Sequence, residues 1–184
     1  MTTYTAWRER VVGSKDVLNA LPAESSRRAI AELVSEVVEA EGPLHETRAA
    51  KLIAGAFELN KVSTARVDSI VDCFPEHFRR PADPGFLWPA GLGPDDYDGA
   101  RTGVYLGVDR IYEHIDPFEA ANAVSRCARA TPGIGHYALV RATMTSLGIL
   151  RMTDNIRGLV AQSIDDAVRQ GKVVLGASGG YWVS

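Results

Sequence analysis

Two short segments of the 184-residue chain concentrate side chains able to grip a polyanion. The first holds Lys61, Ser63, Thr64 and Arg66, with Arg79 and Arg80 further on. The second holds Arg151, Thr153, Asn155 and Arg157, followed by Lys172. Arg and Lys neutralise phosphates or read guanine, Asn reads adenine, and hydroxyls bond phosphate oxygens. Acids are interleaved: Asp68 and Asp72 in the first segment, Asp154, Asp165 and Asp166 in the second. The chain carries 20 Lys+Arg against 23 Asp+Glu, a net charge of −3. Residues 1–90 hold 11 basic and 13 acidic side chains; residues 91–184 hold 9 and 10. No basic domain hides behind an acidic one. Phosphate contacts supply most non-specific affinity for nucleic acid, so any such binding is expected to be weak.

Other chemistry is sparse. A phosphate-binding Gly-x-x-x-x-Gly-Lys-Ser/Thr loop, a nucleophile elbow and a His-Glu-x-x-His zinc motif are all absent. Gly91-Leu92-Gly93 sits in a Pro/Asp-rich loop and reads as a turn. Cys73 and Cys127 lie in apolar helical patterns and read as small core thiols. His45 and His136 open corresponding helices, which favours a shared structural role, capping or core-edge, over two active sites. His77 and His114 do not complete a three-ligand metal set. Asp95, Asp96 and Asp98 lack the Gly and Glu positions of a calcium loop. No catalytic residue, cofactor, metal or small-molecule substrate is expected.

The elements that must position these residues follow from pattern. Hydrophobic residues make up 46% and charged residues 23%, a globular composition. Apolar runs fall short of the ~18 residues that span a bilayer, and the N-terminus lacks a signal-peptide pattern. A cytoplasmic location with no membrane partner is the expectation.

A weak internal repeat organises the chain. Ile30, Leu33, Val34, Val37 and Val38 form one helical stripe; Ala120, Ala123, Val124, Cys127 and Ala128 form another with the same spacing. Glu32, Glu36, Glu39 and Glu41 give the first helix an anionic face. Gly42-Pro43 and Pro132-Gly133 break the two helices. A second helix follows in each copy, over Leu52–Leu59 and Leu139–Ile149. Ser63 and Thr153 then cap a third, with one residue deleted before it in the later copy. Each copy ends in a β-hairpin. The first runs Glu76–Arg80, a turn at Pro81–Gly85, then Phe86–Trp88; the second runs Lys172–Leu175, a glycine turn, then Tyr181–Val183.

Three helices and a hairpin is the order of a winged helix: a helix-turn-helix followed by a wing. The expected fold is mainly α with small β (α+β), as tandem winged-helix units. The expected division is an N-terminal arm or strand (1–24), a first unit (25–90), a linker with a strand at 103–108 (91–116) and a second unit (117–184). The arm, with Trp7, Val11, Val12, Val17, Leu18 and Leu21, would form a short strand or extended segment around Gly13-Ser14. In such a unit the third helix meets the major groove and the wing meets backbone, which selects Lys61, Ser63, Thr64, Arg66, Arg79, Arg80, Arg151, Asn155, Arg157 and Lys172 as the candidate nucleic-acid contacts. The competing expectation is a protein-interaction or dimerisation module. It rests on the acidic balance and on Trp7, Phe86, Trp88, Tyr105, Tyr181 and Trp182 near segment ends.

Three segments also carry a family resemblance: Val37-Val38-Glu39-Ala40-Glu41-Gly42-Pro43-Leu44-His45, Ser63-Thr64-Ala65-Arg66-Val67 and Gly85-Phe86-Leu87-Trp88-Pro89. Together they resemble the bacterial DUF3320 family of domains of unknown function, seen near the C-terminus of large superfamily I helicase-like proteins. The resemblance is expected to extend over most of the chain. It implies an accessory module beside a nucleic-acid motor, a helicase-like protein; it does not imply a motor in this chain, whose sequence contains none.

Overall fold

The structure is a computed structural model that describes residues 2–4, 6–8, 10–102 and 111–184. The chain divides into two compact units: Thr5–Pro94, and Met1–Tyr4 together with Asp95–Ser184. The boundary falls between residues 94 and 95, so the expected linker is shared out between the units and the first residues join the C-terminal one. Strand β1 (Thr2–Thr3) is therefore described with that unit.

The first element of the N-terminal unit is a short helix, α1 (Asp16–Asn19); residues 10–14, around Gly13-Ser14, form neither strand nor helix. Leu18 of α1 enters the core, and Trp7, Val17 and Leu21 pack against it. Val11 and Val12 stay exposed, because this stretch meets the unit through its backbone: the Val12 N–H donates to Ala56 O at 2.9 Å.

Helix α2 (Glu24–Glu41) buries all five residues of its stripe, Ile30, Leu33, Val34, Val37 and Val38. It ends at Gly42-Pro43, where proline has no N–H to continue the helix. A Cβ on Gly42 would stand 2.6 Å from both Pro89 Cδ and Val38 O, so only glycine permits this approach. Strand β2 (Leu44–His45) leads into α3 (Glu46–Ala56), whose small face (Ala49, Ala50, Ala54, Ala56) lets it pack closely. His45 caps α3: its Nδ1 accepts the Thr47 N–H at 3.1 Å. Helix α4 (Thr64–Val71) is capped by Ser63, whose hydroxyl accepts the Arg66 N–H at 3.3 Å.

Strands β3 (Arg79–Arg80) and β4 (Asp83–Leu87) close the unit as an antiparallel sheet in the order β2-β4-β3. The hairpin differs from the expected one. Glu76–Phe78 form a 3-10 turn, and Asp83-Pro84-Gly85 belong to the returning strand. Buried Asp83 accounts for this, since its carboxylate accepts the Trp88 indole N–H at 2.8 Å. Proline inside a central strand is tolerated because β2 opposes only Phe86 and Leu87.

In the C-terminal unit β1 pairs in parallel with β5 (Arg101–Thr102). Asp116 caps α5 (Pro117–Ala130) by accepting the Phe118 and Glu119 N–H groups at 2.8 and 3.0 Å. Then come β6 (Ile134–Gly135), α6 (His136–Ser146), α7 (Asp154–Arg169), β7 (Val173–Leu175) and β8 (Gly180–Val183). Thr153 caps α7, accepting the Ile156 N–H at 3.2 Å. The sheet order is β6-β8-β7. The Tyr112 hydroxyl lies 2.8 Å from Ser163 Oγ in this core, and burial pushes its pKa up to about 12.

The two units thus repeat one order of elements. Helices α3 and α6 occupy 46–56 and 136–146, and α4 and α7 start at 64 and 154. The offset stays constant across the second and third helices, so the one-residue deletion inferred from sequence is not there. Val160 and Ile164, both fully buried, take the places of Ile70 and Phe74. The expected linker strand at 103–108 lies outside the described residues. No helix among the described residues is long and apolar enough to cross a membrane.

Candidate functional site

The ten candidate residues part into two groups. One group is spent within its own unit. The Arg66 guanidinium donates to Leu18 O at 2.5 Å and to Asn19 Oδ1 at 3.1 Å, tying α4 to α1. Arg79 donates to Glu46 Oε2 at 3.3 Å and to Val71 O at 3.0 Å. Arg80 clamps the loop after β4: it donates to His77 O at 2.7 Å and to Leu92 O at 3.0 and 3.2 Å. Half-buried Lys172 donates to Asn122 Oδ1, and burial lowers its pKa against the pull of Asp116, Asp98 and Asp95. Asn155 donates to Glu113 Oε1 at 3.0 Å.

The other group is exposed: Lys61, Ser63 and Thr64 at the start of α4, Arg151 and Arg157 at the start of α7. Arg157 pairs with Asp154 at 3.2 Å, both well exposed, a geometry that holds charge only loosely. With Arg66 turned inward, the exposed charges of α4 are Asp68 and its C-cap Asp72.

Sequence reasoning missed two buried ion pairs. Glu41, read as part of an anionic face, is fully buried. Its carboxylate accepts from Arg48 Nε at 2.6 Å and Nη2 at 3.0 Å, and from the Trp7 N–H at 2.7 Å. In the C-terminal unit Glu119 accepts from Arg101 Nη2 at 2.6 Å and from the Arg101 N–H at 2.8 Å. Burial works against the Arg101 charge, but the bonds and charge of Glu119 outweigh it and raise its pKa. The Glu41–Arg48 pair ties the end of α2 to α3, with the Trp7 N–H added, and the Arg101–Glu119 pair fastens β5 to α5. Glu41 and Arg48 lie on either side of the Gly-Pro break, where helical periodicity cannot bring them together.

His45 has a structural role, as a cap, and burial lowers its pKa. His136 does not share it. Gly135 holds the capping position of α6, and His136 Nδ1 instead lies 3.2 Å from the Tyr181 hydroxyl. Among the described residues no group of three or more His, Cys, Asp or Glu could hold a metal.

The hairpins diverge most. Leu44 opposes Leu87 and Ile134 opposes Tyr181, so Trp88 and Trp182 hold equivalent places. Trp88 is fully buried, whereas Trp182 is 44% exposed. The Trp182 ring rests over Gly133 and Gly176, where a Cβ would stand 3.0 and 2.8 Å from it. Its cross-strand partner Val174 and the next residue, Leu175, are also exposed. Gly176 N–H bonds Gly180 O at 2.8 Å, and the antiparallel alternation from there turns the N–H and C=O groups of Val173 and Leu175 away from β8. No strand among the described residues pairs with that side of β7.

Residues 20–68 match the family model described as protein of unknown function (DUF3320). The chain resembles that family from the turn after α1 through α2 and α3 into α4, a narrower span than the motifs suggested: Gly85–Pro89 and the whole C-terminal unit lie outside it. No curated protein and no solved structure matches the chain.

Proposed function

We propose that the chain is a non-enzymatic, cytoplasmic module of two winged-helix units that docks onto protein through the second wing. The winged-helix reading is supported by element order in both units: helix, strand, two helices, then two strands, with the last strand central. The docking reading rests on one observation. The arginines and lysine of the wings, with Arg66 of α4, are spent inside their units, while Val174, Leu175 and Trp182 are left exposed on the second wing. The resemblance to DUF3320 supports an accessory place beside a helicase-like protein.

The test is a photo-cross-linking residue at position 182, with position 61 as control. A specific adduct from 182 that Leu175→Arg abolishes is expected. Equal labelling from both positions overturns the docking reading.

A second reading, weak nucleic-acid binding, is favoured by the exposed Lys61, Arg151 and Arg157 at the starts of the third helices. Fluorescence anisotropy with duplex and single-stranded DNA at low salt tests it. Binding that weakens with salt and falls in Arg151→Ala/Arg157→Ala supports it; no binding at tens of micromolar protein, about the middle of the range of non-specific affinity, removes it.

A further inference from the structure

The C-terminal unit contains a cationic groove that neither functional reading uses. It has a volume of about 500 Å³ and lies between α5, the loop that ends at Gly99, the turn before β7 and the end of β8. We propose that this groove binds a phosphate group, held by Arg126 and Arg129, with room for the small molecule that carries it. The proposal stands apart from the docking reading. Val183 lines the groove, whereas Trp182, its neighbour in β8, points to the other face of the sheet.

Three observations carry it. The first is a pair of arginines without counterions. Arg126 and Arg129 stand three residues apart on α5, so they share one face of the helix, and both line the groove. Neither forms an ion pair among the described residues, although the chain carries 23 Asp and Glu. Arg126 Nη2 donates to Asp98 O at 3.0 Å, which steadies that guanidinium beside the groove. Arg129 is exposed, and its guanidinium makes no hydrogen bond among the described residues. Both side chains therefore keep N–H donors for a ligand, and their planar forks fit phosphate oxygens.

The second is a built frame. Buried Asn122, one turn before Arg126 on α5, ties the walls together. Its amide donates to Tyr97 O at 2.8 Å and to Gly99 O at 3.0 Å, and its Oδ1 accepts from Lys172. Ser125 Oγ donates to Lys172 O at 3.3 Å. The walls are thus fixed without a ligand, and Lys172, held to Asn122, adds a third positive charge to them. Against three cations stand the Asp98 carboxylate and, where the chain ends at Ser184, the terminal carboxylate; the balance stays positive.

The third is a contrast within the repeat. The offset that relates α3 to α6 puts Glu32, Glu36 and Glu39 of α2 where α5 has Asn122, Arg126 and Arg129. Glu36 there pairs with Arg10 at 2.8 Å. The same helix positions accept carboxylates, so packing does not demand the arginines of α5. The groove's volume also falls among those of small-molecule sites, roughly 300–1,000 Å³, more than a bare phosphate fills.

The experiment is a nitrogen–proton NMR titration of the full chain at constant ionic strength, with inorganic phosphate and with glycerol 3-phosphate, sodium chloride replacing each in the reference series. Saturating shifts centred on the amides of Asp98, Arg126, Arg129 and Lys172 are expected. The expected dissociation constant for inorganic phosphate is about 1 mM, the level that a few charged hydrogen bonds support. Glycerol 3-phosphate is expected to bind more tightly; binding of inorganic phosphate alone assigns the groove to the free ion and overturns the carrier. Arg126→Gln and Arg129→Gln should each weaken binding about tenfold, the spectrum elsewhere unchanged. Arg141→Gln, which alters an exposed arginine of α6 outside the groove, should bind as wild type does. Shifts that never saturate, shifts matched by chloride, or an equal loss in Arg141→Gln overturn the proposal. So do shifts at these amides from duplex DNA but from neither small phosphate, which give the groove to the nucleic-acid reading. If the groove stays silent while position 182 still cross-links a foreign protein, this proposal fails and the docking reading stands.

Discussion

Two hairpins of the same topology end the two units, and they treat an equivalent tryptophan in opposite ways. In the first, Trp88 lies inside, held by Asp83, and Arg80 ties down the loop that follows. In the second, the register runs unbroken from Val173–Val183 to Leu175–Tyr181, and Trp182 stands outside beside Val174. The first register shifts between Arg79 and Arg80, where Pro84 and Gly85 interrupt the pairing. The irregular hairpin is thus closed into its unit's core, whereas the regular one leaves Val174, Leu175 and Trp182 exposed. The repeat conserves what packs the helices and lets the sheet surface vary.

The comparison can be broken most severely at the two tryptophans. Trp88→Ala should cost about 3–5 kcal/mol, by emptying a packed site and orphaning the Asp83 carboxylate. Trp182→Ala should cost a small fraction of that; urea denaturation of both variants reads the difference, and equal losses would abolish the contrast. Next comes the buried pair. Glu41→Gln leaves the Arg48 charge without its counterion and should destabilise the N-terminal unit by about 3–5 kcal/mol, while Arg48 and Glu41 replaced together by Met and Leu should recover much of it.

Arginines in and out of contact should separate less widely. Arg66→Ala removes the tie to Leu18 and Asn19 and should cost about 1–3 kcal/mol. Arg157→Ala should leave the melting temperature unchanged, since its pair with Asp154 is exposed. The smallest effect is a pH dependence at His45. Burial lowers its folded pKa below the ordinary 6.5, so the unfolded chain binds the proton first as pH falls. Stability from this group is fully present above pH 6.5 and declines below it, until the folded pKa is passed. Melting curves of wild type and His45→Asn, which keeps a capping oxygen, should diverge as pH drops from neutrality; parallel curves would remove His45 as the source.

Much of the framework was legible in sequence for a simple reason. The stripes of α2 and α5 lie within single helices, so a period of 3.6 residues alone reports which residues face inward. Ser63 and Thr153 were legible as caps because a cap acts on the next three residues. The two-residue strands β2 and β6 were not legible, being too short to show alternation; their pairing with β4 and β8 reaches across two helices. The fates of the candidate cations were equally hidden. Arg66 finds its acceptors in α1, and Arg80 finds one in a loop beyond the hairpin.

The chain alone therefore determined the repeat, its helices, their breaks and caps, and the near-neutral charge of both halves, all of which depend on neighbours in sequence. Which arginines are consumed, which glutamate is buried, and which tryptophan faces outward depended on partners distant along the chain. A guanidinium or an indole is committed only when a carbonyl or carboxylate from another element arrives within hydrogen-bond reach. Folding brought such partners to Arg66, Arg80 and Trp88 and left Trp182 at the surface.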